Sequence, residues 1–303
     1  MEILEKQNDF KTPILLLVFN RLDTTIKVFN EIKKIQPKKF YIACDGPREN
    51  KKNELSKVKE VREYILKNID WDCEIKTLFR DENLGCKYSI SDAITWFFNN
   101  EEQGIILEDD CLPNKSFFAF CEKMLEKYKN NLKIGHIGGS NFQKNIKRGD
   151  ADYYFSAYSH VWGWASWANR WIKYNVELDN IDNDKFLYKY FKNKNAIKYW
   201  SHIFKAMKDK KIDTWDYQWT FTLWNNNQIS IIPNKNLISN IGFGDGATHT
   251  KFKHDPFANM PTFELTIKKH PLTIQRDDVA DNFTFKKCYT LSIWIKIIKK
   301  FYK

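Results

Sequence analysis

The sequence predicts an α/β protein with a Rossmann-like, mostly parallel central sheet flanked by helices and a C-terminal amphipathic tail. Short apolar runs alternate with helix-period segments, giving four strand–helix units in about a hundred residues, the pattern of parallel strands joined by right-handed crossovers. The runs are continuously apolar, as in Ile14-Leu15-Leu16-Leu17-Val18 and Ile105-Ile106-Leu107, which suits strands buried on both faces. Each run also ends abruptly in polar, chemistry-capable side chains.

In chain order, the first strand spans Pro13 to Phe19 and ends at Asn20-Arg21. Asp23 is expected to cap a helix carrying Ile26, Phe29, Ile32 and Ile35, which Pro37 stops. A second strand, Lys39 to Cys44, runs into Asp45-Gly46-Pro47-Arg48. The next helix turns Leu55, Val58, Val61, Ile65 and Leu66 inward. A third strand, Cys73 to Phe79, ends in Arg80-Asp81-Glu82-Asn83-Leu84-Gly85, followed by a helix through Ile90, Ile94 and Phe97. The fourth strand, Gly104 to Leu107, ends in Glu108-Asp109-Asp110, and Pro113 closes the segment.

That acidic triplet organises the reading. Three adjacent carboxylates repel one another unless a cation or donors sit among them. Ligands of open α/β sheets bind at the carboxyl ends of strands, where these acids stand. A divalent metal carrying a phosphate accounts for them, since Mg²⁺ or Mn²⁺ takes oxygen ligands and Mg²⁺ uses only one or two carboxylates. The plain alternative is a solvated loop, or the cap of a helix beginning near Ser116.

Composition narrows the class. The chain has 303 residues, 43% hydrophobic and 29% charged, as a globular protein does. Net charge of +11 favours an anionic partner such as a nucleotide, a nucleic acid or an acidic membrane surface. Six cysteines stand singly, with neither CxxC nor zinc-type spacing, which fits free thiols in a reducing compartment. Met1 to Lys11 shows no signal-peptide pattern, and no apolar run approaches the ~20 residues of a spanning helix. A cytoplasmic location is expected.

The order strand-Phe-Asn-Arg, strand-Asp-Gly-Pro-Arg, strand-Arg-Asp-Glu-Asn-Leu-Gly, strand-Glu-Asp-Asp resembles the GT-A fold of nucleotide-sugar glycosyltransferases. The Glu-Asp-Asp form of the Asp-x-Asp motif is similar to that of the N-acetylglucosaminyltransferase I family and its bacterial relatives. The resemblance covers roughly residues 12 to 250. It implies a nucleoside-diphosphate-sugar donor, a UDP-sugar first among them, with Asn20, Arg21, Asp45, Arg48, Arg80 and Lys87 around the nucleotide and its phosphates. Asp45 would hold the base or ribose. Asp110 would ligate Mn²⁺ or Mg²⁺, with Glu108 and Asp109 on ribose or sugar. The acceptor would be a glycan or lipid-linked glycan, and no nucleic-acid-binding pattern appears.

In the second half, a helix through Phe117, Cys121, Leu125 and Tyr128 leads to a strand, Ile134 to Ile137, ending in Gly138-Gly139-Ser140-Asn141. Those glycines serve either a close backbone approach to a ligand or a plain turn. His160-Val161-Trp162-Gly163-Trp164-Ala165 is similar to a His-x-x-Gly-Trp-Ala segment of the same family, which implies a sugar contact at Trp164; the alternative is aromatic core. Asp213 to Trp219 opens a helix through Phe221, Leu223 and Trp224. A carboxylate is needed to deprotonate an acceptor hydroxyl in an inverting transfer, and Asp216 fits the family position, with Asp213 as a cap or a rival. A strand from Ile229 stops at Pro233. The glycines around Asp245 mark a closing loop, and His249 matches the C-terminal metal ligand of such enzymes, with His254 as rival.

The expected organisation is a catalytic domain over 1–285, with a nucleotide half at 12–135 and an acceptor half at 136–260, then a basic tail at 286–303. In the tail Leu291, Trp294, Ile295, Ile298, Phe301 and Tyr302 share one helical face opposite Lys296, Lys299, Lys300 and Lys303, as in interfacial helices. It implies peripheral contact with the inner face of the cytoplasmic membrane, or docking on the domain. Two other functions are open. A sugar-1-phosphate nucleotidylyltransferase would want a Gly-rich phosphate loop after the first strand, where Phe19-Asn20-Arg21-Leu22-Asp23 stands instead. A non-catalytic carbohydrate-binding module would not need the strand-end carboxylates.

Overall fold

The computed structural model describes residues 10–178, 185–244 and 255–290. The chain opens with β1 (Ile14–Val18), α1 (Leu22–Ile35), β2 (Lys39–Cys44), α2 (Glu54–Asn68), β3 (Glu74–Phe79), α3 (Gly85–Asn100) and β4 (Gln103–Glu108). It continues with β5 (Cys111–Pro113), α4 (Lys115–Tyr128), β6 (Ile134–Gly138), β7 (Tyr153–Ser156), β8 (Trp164–Trp167) and α5 (Ala168–Trp171). Then come α6 (Lys185–Tyr190), α7 (Lys194–Lys208), α8 (Asp216–Asn225), β9 (Ile229–Pro233), β10 (Ile238–Asn240), α9 (Asp278–Thr284) and one π-helical turn (Phe285–Tyr289).

The expected α/β class is what forms. One eight-stranded sheet has the order β3-β2-β1-β4-β8-β6-β9-β7. Its first four strands are parallel, which aligns their carboxyl ends along one edge. All five residues of β1 are buried, so its unbroken apolar run needs no polar face. β3 lies at the edge and carries Glu74 and Lys76, charges that suit an exposed border.

β8 is the element sequence patterning does not reveal. It inserts antiparallel between β4 and β6, pairing Ile106 with Trp164 on one side and Gly138 with Trp164 on the other. It thereby joins the two halves of the chain into one sheet. A small antiparallel ribbon of β5 and β10 carries residues 241–244 to the end of β4.

Several local expectations are corrected. Arg21 occupies the cap position of α1 while Asp23 is exposed in its first turn. Leu55 and Leu66 are 54% and 44% exposed, and only Val58, Val61 and Ile65 of that predicted face are buried in α2. α8 begins at Asp216 itself, after Trp215, so Asp213 does not cap it. The acidic triplet does not cap α4 either, because Asn114 accepts from the Ser116 N–H at 2.9 Å and does so itself. Gly139 is bonded through its backbone to Gly163 and Leu237, and a Cβ there would lie 2.5 Å from the Ile238 side chain, so it is a point of close packing and not a turn. Of the expected tail, residues 286–290 are among those described, and Tyr289 packs against Trp200 at 4.9 Å between ring centres.

Two buried polar groups fix the second half. Arg170 is fully buried and donates to the carbonyls of Tyr128, Lys129 and Asn131, which end α4. His136 accepts from Trp219 Nε1–H at 3.2 Å and donates through Nε2–H to His160 O, so its ring is neutral. Burial pushes its pKa down to about 3.

Candidate active site

The parallel half of the sheet delivers Asn20 and Arg21, Asp45 and Arg48, Arg80, and Glu108 to Asp110 to one edge. At its centre Arg21 Nη2 donates to Asp109 Oδ1 and to Asp110 Oδ2, the latter at 2.8 Å. Burial opposes the Arg21 charge, but the two carboxylates outweigh it and hold the pKa above the ordinary arginine value. Asp109 is buried, and burial pushes its pKa up to about 7 despite Arg21. Its Oδ2 has no hydrogen-bond partner among the described residues. Burial, then Asp110 and Asp109, raise Glu108 well above the usual carboxylate range. One guanidinium therefore does not fully compensate three acids.

The ribbon closes over this cluster. Ile241 N–H donates to Asp110 O at 2.8 Å, and Gly242 lies so close that a Cβ there would stand 2.0 Å from Asp110 Oδ2. Phe243 meets Trp162 edge-on at 5.7 Å, which places a half-buried indole beside the same loop.

Asp45 takes a different position from the one expected. Its Oδ1 accepts from Gly46 and Leu84 N–H, and its Oδ2 from Gly85 N–H and Asn83 Nδ2, all at 3.0 Å. These four donors fill the carboxylate, so in this structure it holds the β3–α3 loop rather than facing a base or ribose. Gly46 is tight against that loop, since a Cβ would lie 2.3 Å from the Glu82 carbonyl carbon. Asn20 and Arg48 are brought together by Glu54, which accepts from Asn20 Nδ2 and Arg48 Nε, each at 2.9 Å. Arg80 pairs with Asp92 while its Nη1 is buried without a partner among the described residues. Lys87 reaches Glu177 at 3.0 Å, which Tyr88 also contacts.

Asp216 begins α8 and accepts from the Thr214 hydroxyl. Its neighbourhood is shown by Cys86 in the first turn of α3, whose thiol is pushed up by burial and then by Glu108, Asp216, Asp213 and Asp45. Asp216 and Glu108 thus bear on one another, and Glu108 feels Asp216 directly. Trp164, expected at a sugar, has no exposed surface and stacks on His136 and Trp215 at 5.2 and 5.9 Å, so its ring is core in this structure. His249, with Asp245 and His254, lies outside the described residues. Sequence reading passed over Glu54, Thr214 and Phe243; only Phe243, set among glycines, carried any signal.

Among the described residues no group of three or more His, Cys, Asp or Glu side chains is arranged as a metal cage. A substrate-carried Mg²⁺ or Mn²⁺ needs fewer, and the donor set fits one: all-oxygen, under-neutralised, with a partnerless Asp109 Oδ2.

No protein-family model and no curated protein matches the chain. Solved structures similar to it include a mannosyltransferase from Pyrobaculum calidifontis in complex with GDP-Man and Mn²⁺ (12% identity, 59% of this chain and 52% of that one, TM-score 0.37). Similar too are a 4-diphosphocytidyl-2C-methyl-D-erythritol synthase from Anaerococcus prevotii (13%, 61% and 86%, 0.34) and mouse xyloside xylosyltransferase 1 (10%, 69% and 80%, 0.32). The match thus spans about half the length of the mannosyltransferase. With TM-scores this low, the functional reading rests on the residues of this chain.

Proposed function

We propose that the chain is a metal-dependent GT-A glycosyltransferase that moves a sugar from a nucleoside diphosphate to a hydroxyl of a glycan acceptor, with inversion. The observation that carries this reading is the under-neutralised Glu108-Asp109-Asp110 cluster with Arg21 at the end of central β4; a separate carboxylate, Asp216, is near enough to add to the upward push on Glu108. Asp110, with Asp109 beside it, would hold the cation. Bound there, Mn²⁺ or Mg²⁺ supplies neutralisation of charge on the departing diphosphate.

The side chains divide the remaining work. Arg21 and Arg80 place positive charge along the strand ends where phosphates would lie. Trp162 and Phe243 offer aromatic surface beside Asp110 for a sugar face. Asp216 takes the acceptor O–H proton as that oxygen bonds to the anomeric carbon, whose bond to the phosphate oxygen breaks with its electron pair leaving on the diphosphate. Thr214 orients the Asp216 carboxylate through its hydroxyl hydrogen bond. The nucleotidylyltransferase alternative lacks the Gly-rich turn after β1, where Phe19, Asn20 and Arg21 lead straight into α1.

A thermal-shift panel of nucleoside diphosphates and nucleotide-sugars, with and without Mn²⁺, tests the proposal on wild type and Asp110→Ala. At a hundredfold excess over Kd the stabilisation is about 2.7 kcal/mol. We expect a shift that needs Mn²⁺, prefers one base and disappears in Asp110→Ala. A preference for nucleoside triphosphate with sugar phosphate would establish the nucleotidylyltransferase instead. Indifference to every nucleotide would end both readings.

A further inference from the structure

Residues 185–212 hold nine lysines and one acid, Asp209. Within this segment α7 buries Ala196, Ile197, Trp200, Phe204 and Met207 against the domain. Lys194, Lys198, Lys205 and Lys208 are all exposed. Their spacings of four, seven and three residues put them on a single helical stripe, which runs about 20 Å along the helix. Lysines at the margins are paired: Lys192 with Asp278, Lys210 with Glu177, Lys211 with Asp209. Among the described residues, Lys194, Lys198 and Lys205 make no ion pair. A concentration of like charge on a rigid, outward face lowers stability through self-repulsion, so it calls for an anionic partner.

We infer that the lysine face of α7 is a docking surface for a membrane leaflet rich in anionic lipid. Two observations choose the bilayer over nucleic acid. The stripe is made of lysines, point charges with no arginine fork and no exposed Trp, Tyr or Phe among them; its one exposed ring is the His202 imidazole, less than the run of stacking platforms that single strands use. The chain also leaves the described structure from the flank of this helix: Tyr289 packs on Tyr199 and Trp200 at 5.7 and 4.9 Å. The thirteen residues that follow, 291–303, contain four lysines, no acid, and an apolar set that includes Trp294, Phe301 and Tyr302. A basic stripe, and a basic, apolar sequence following from the same flank, both have the composition that suits an anionic bilayer, whose charge attracts lysines. No helix among the described residues is long and apolar enough to cross a membrane, so attachment here is to the surface. The inference stands independently of the transferase reading.

Cosedimentation of the full chain with phosphatidylcholine vesicles, with and without phosphatidylglycerol, tests it. Wild type is expected on phosphatidylglycerol vesicles at low salt and released at high salt. At about 1 kcal/mol per lysine, K194Q/K198Q/K205Q loses roughly a hundredfold in partition. K194R/K198R/K205R keeps the charge and keeps the partition. K57Q/K59Q/K67Q removes the same charge from exposed positions on α2 and changes little. Equal losses in the α2 and α7 glutamine variants would reduce the effect to net charge and overturn the proposal. So would unchanged partition in K194Q/K198Q/K205Q, or a wild type that ignores vesicles but binds RNA through these lysines.

Discussion

Gly242 has no room for a side chain. A methyl group there would lie 2.0 Å from Asp110 Oδ2 and 2.6 Å from Asp110 Cβ, so Asp110 or the loop must move. Because Asp110 also holds Arg21, the displacement reaches the central ion pair. Gly242→Ala is therefore expected to cost the apo protein about 1–3 kcal/mol by overpacking. It should also weaken Mn²⁺-dependent nucleotide binding at least tenfold, read as the ligand-induced rise in midpoint. A nucleotide response equal to that of wild type would remove Asp110 from the donor site. Legibility at this scale is uneven. The strand-end acids and Arg21 could be picked out because each terminates an apolar run. Trp164 could not be told from Trp162: two indoles two residues apart look alike in sequence, and only the position of β8 sends one to the core and leaves the other half-buried beside Phe243.

α9 is held by one buried carboxylate. Asp281 Oδ1 accepts from the Ser156 hydroxyl at 2.6 Å, and the Ala157 N–H lies 3.1 Å from both oxygens, which ties α9 to the end of β7. Burial pushes the Asp281 pKa up to about 7, outweighing those hydrogen bonds. The unfolded value is near 3.9, so between about pH 4 and pH 7 the folded chain binds a proton that the unfolded chain has released. This contribution to stability is complete below pH 4 and is lost as pH rises through 7. Asp281→Asn keeps a carbonyl acceptor and removes the titration. The stability of the variant relative to wild type should thus rise with pH across that window, by up to about 1.4 kcal/mol per pH unit, in denaturant titrations at matched ionic strength. Parallel pH profiles would show that Asp281 is not the titrating group. Asp277 caps α9 locally by accepting from the Ala280 N–H, but what docks the helix comes from far away in sequence: Asp277 N–H donates to Phe155 O of β7, and the Asp281 carboxylate receives Ser156 and Ala157. Strands β1, β2 and β4 were legible for the opposite reason, because burial on both faces leaves an apolar signature that is entirely local. The four donors on Asp45 show the same limit: Asp-Gly-Pro reads as a strand end, but the loop it holds comes from residues 83–85.

At the scale of the molecule, β8 decides whether the chain behaves as one unit or two. It is paired on both edges, with β4 from the parallel strands of the first half and with β6 from the second half. Trp164 stands at that seam, fully buried against His136, Trp171, Trp215 and Trp219. Removing a buried Trp costs about 3–5 kcal/mol, a large share of the ~5–15 kcal/mol that keeps a domain folded. If the sheet is one cooperative structure, Trp164→Ala weakens both halves together. Far-UV circular dichroism and tryptophan fluorescence should then report the same transition in wild type, and again in the variant at a lower denaturant midpoint with an unchanged slope. Ten tryptophans remain in the variant to carry the fluorescence, from the eleven of the wild type. Two separated transitions, with the β1–β4 unit persisting to higher denaturant, would instead mean that β8 is a removable splice between independent halves. The distinction bears on function, because Asp216 lies in the second half and Glu108 in the first, and their common approach to Cys86 depends on the seam holding.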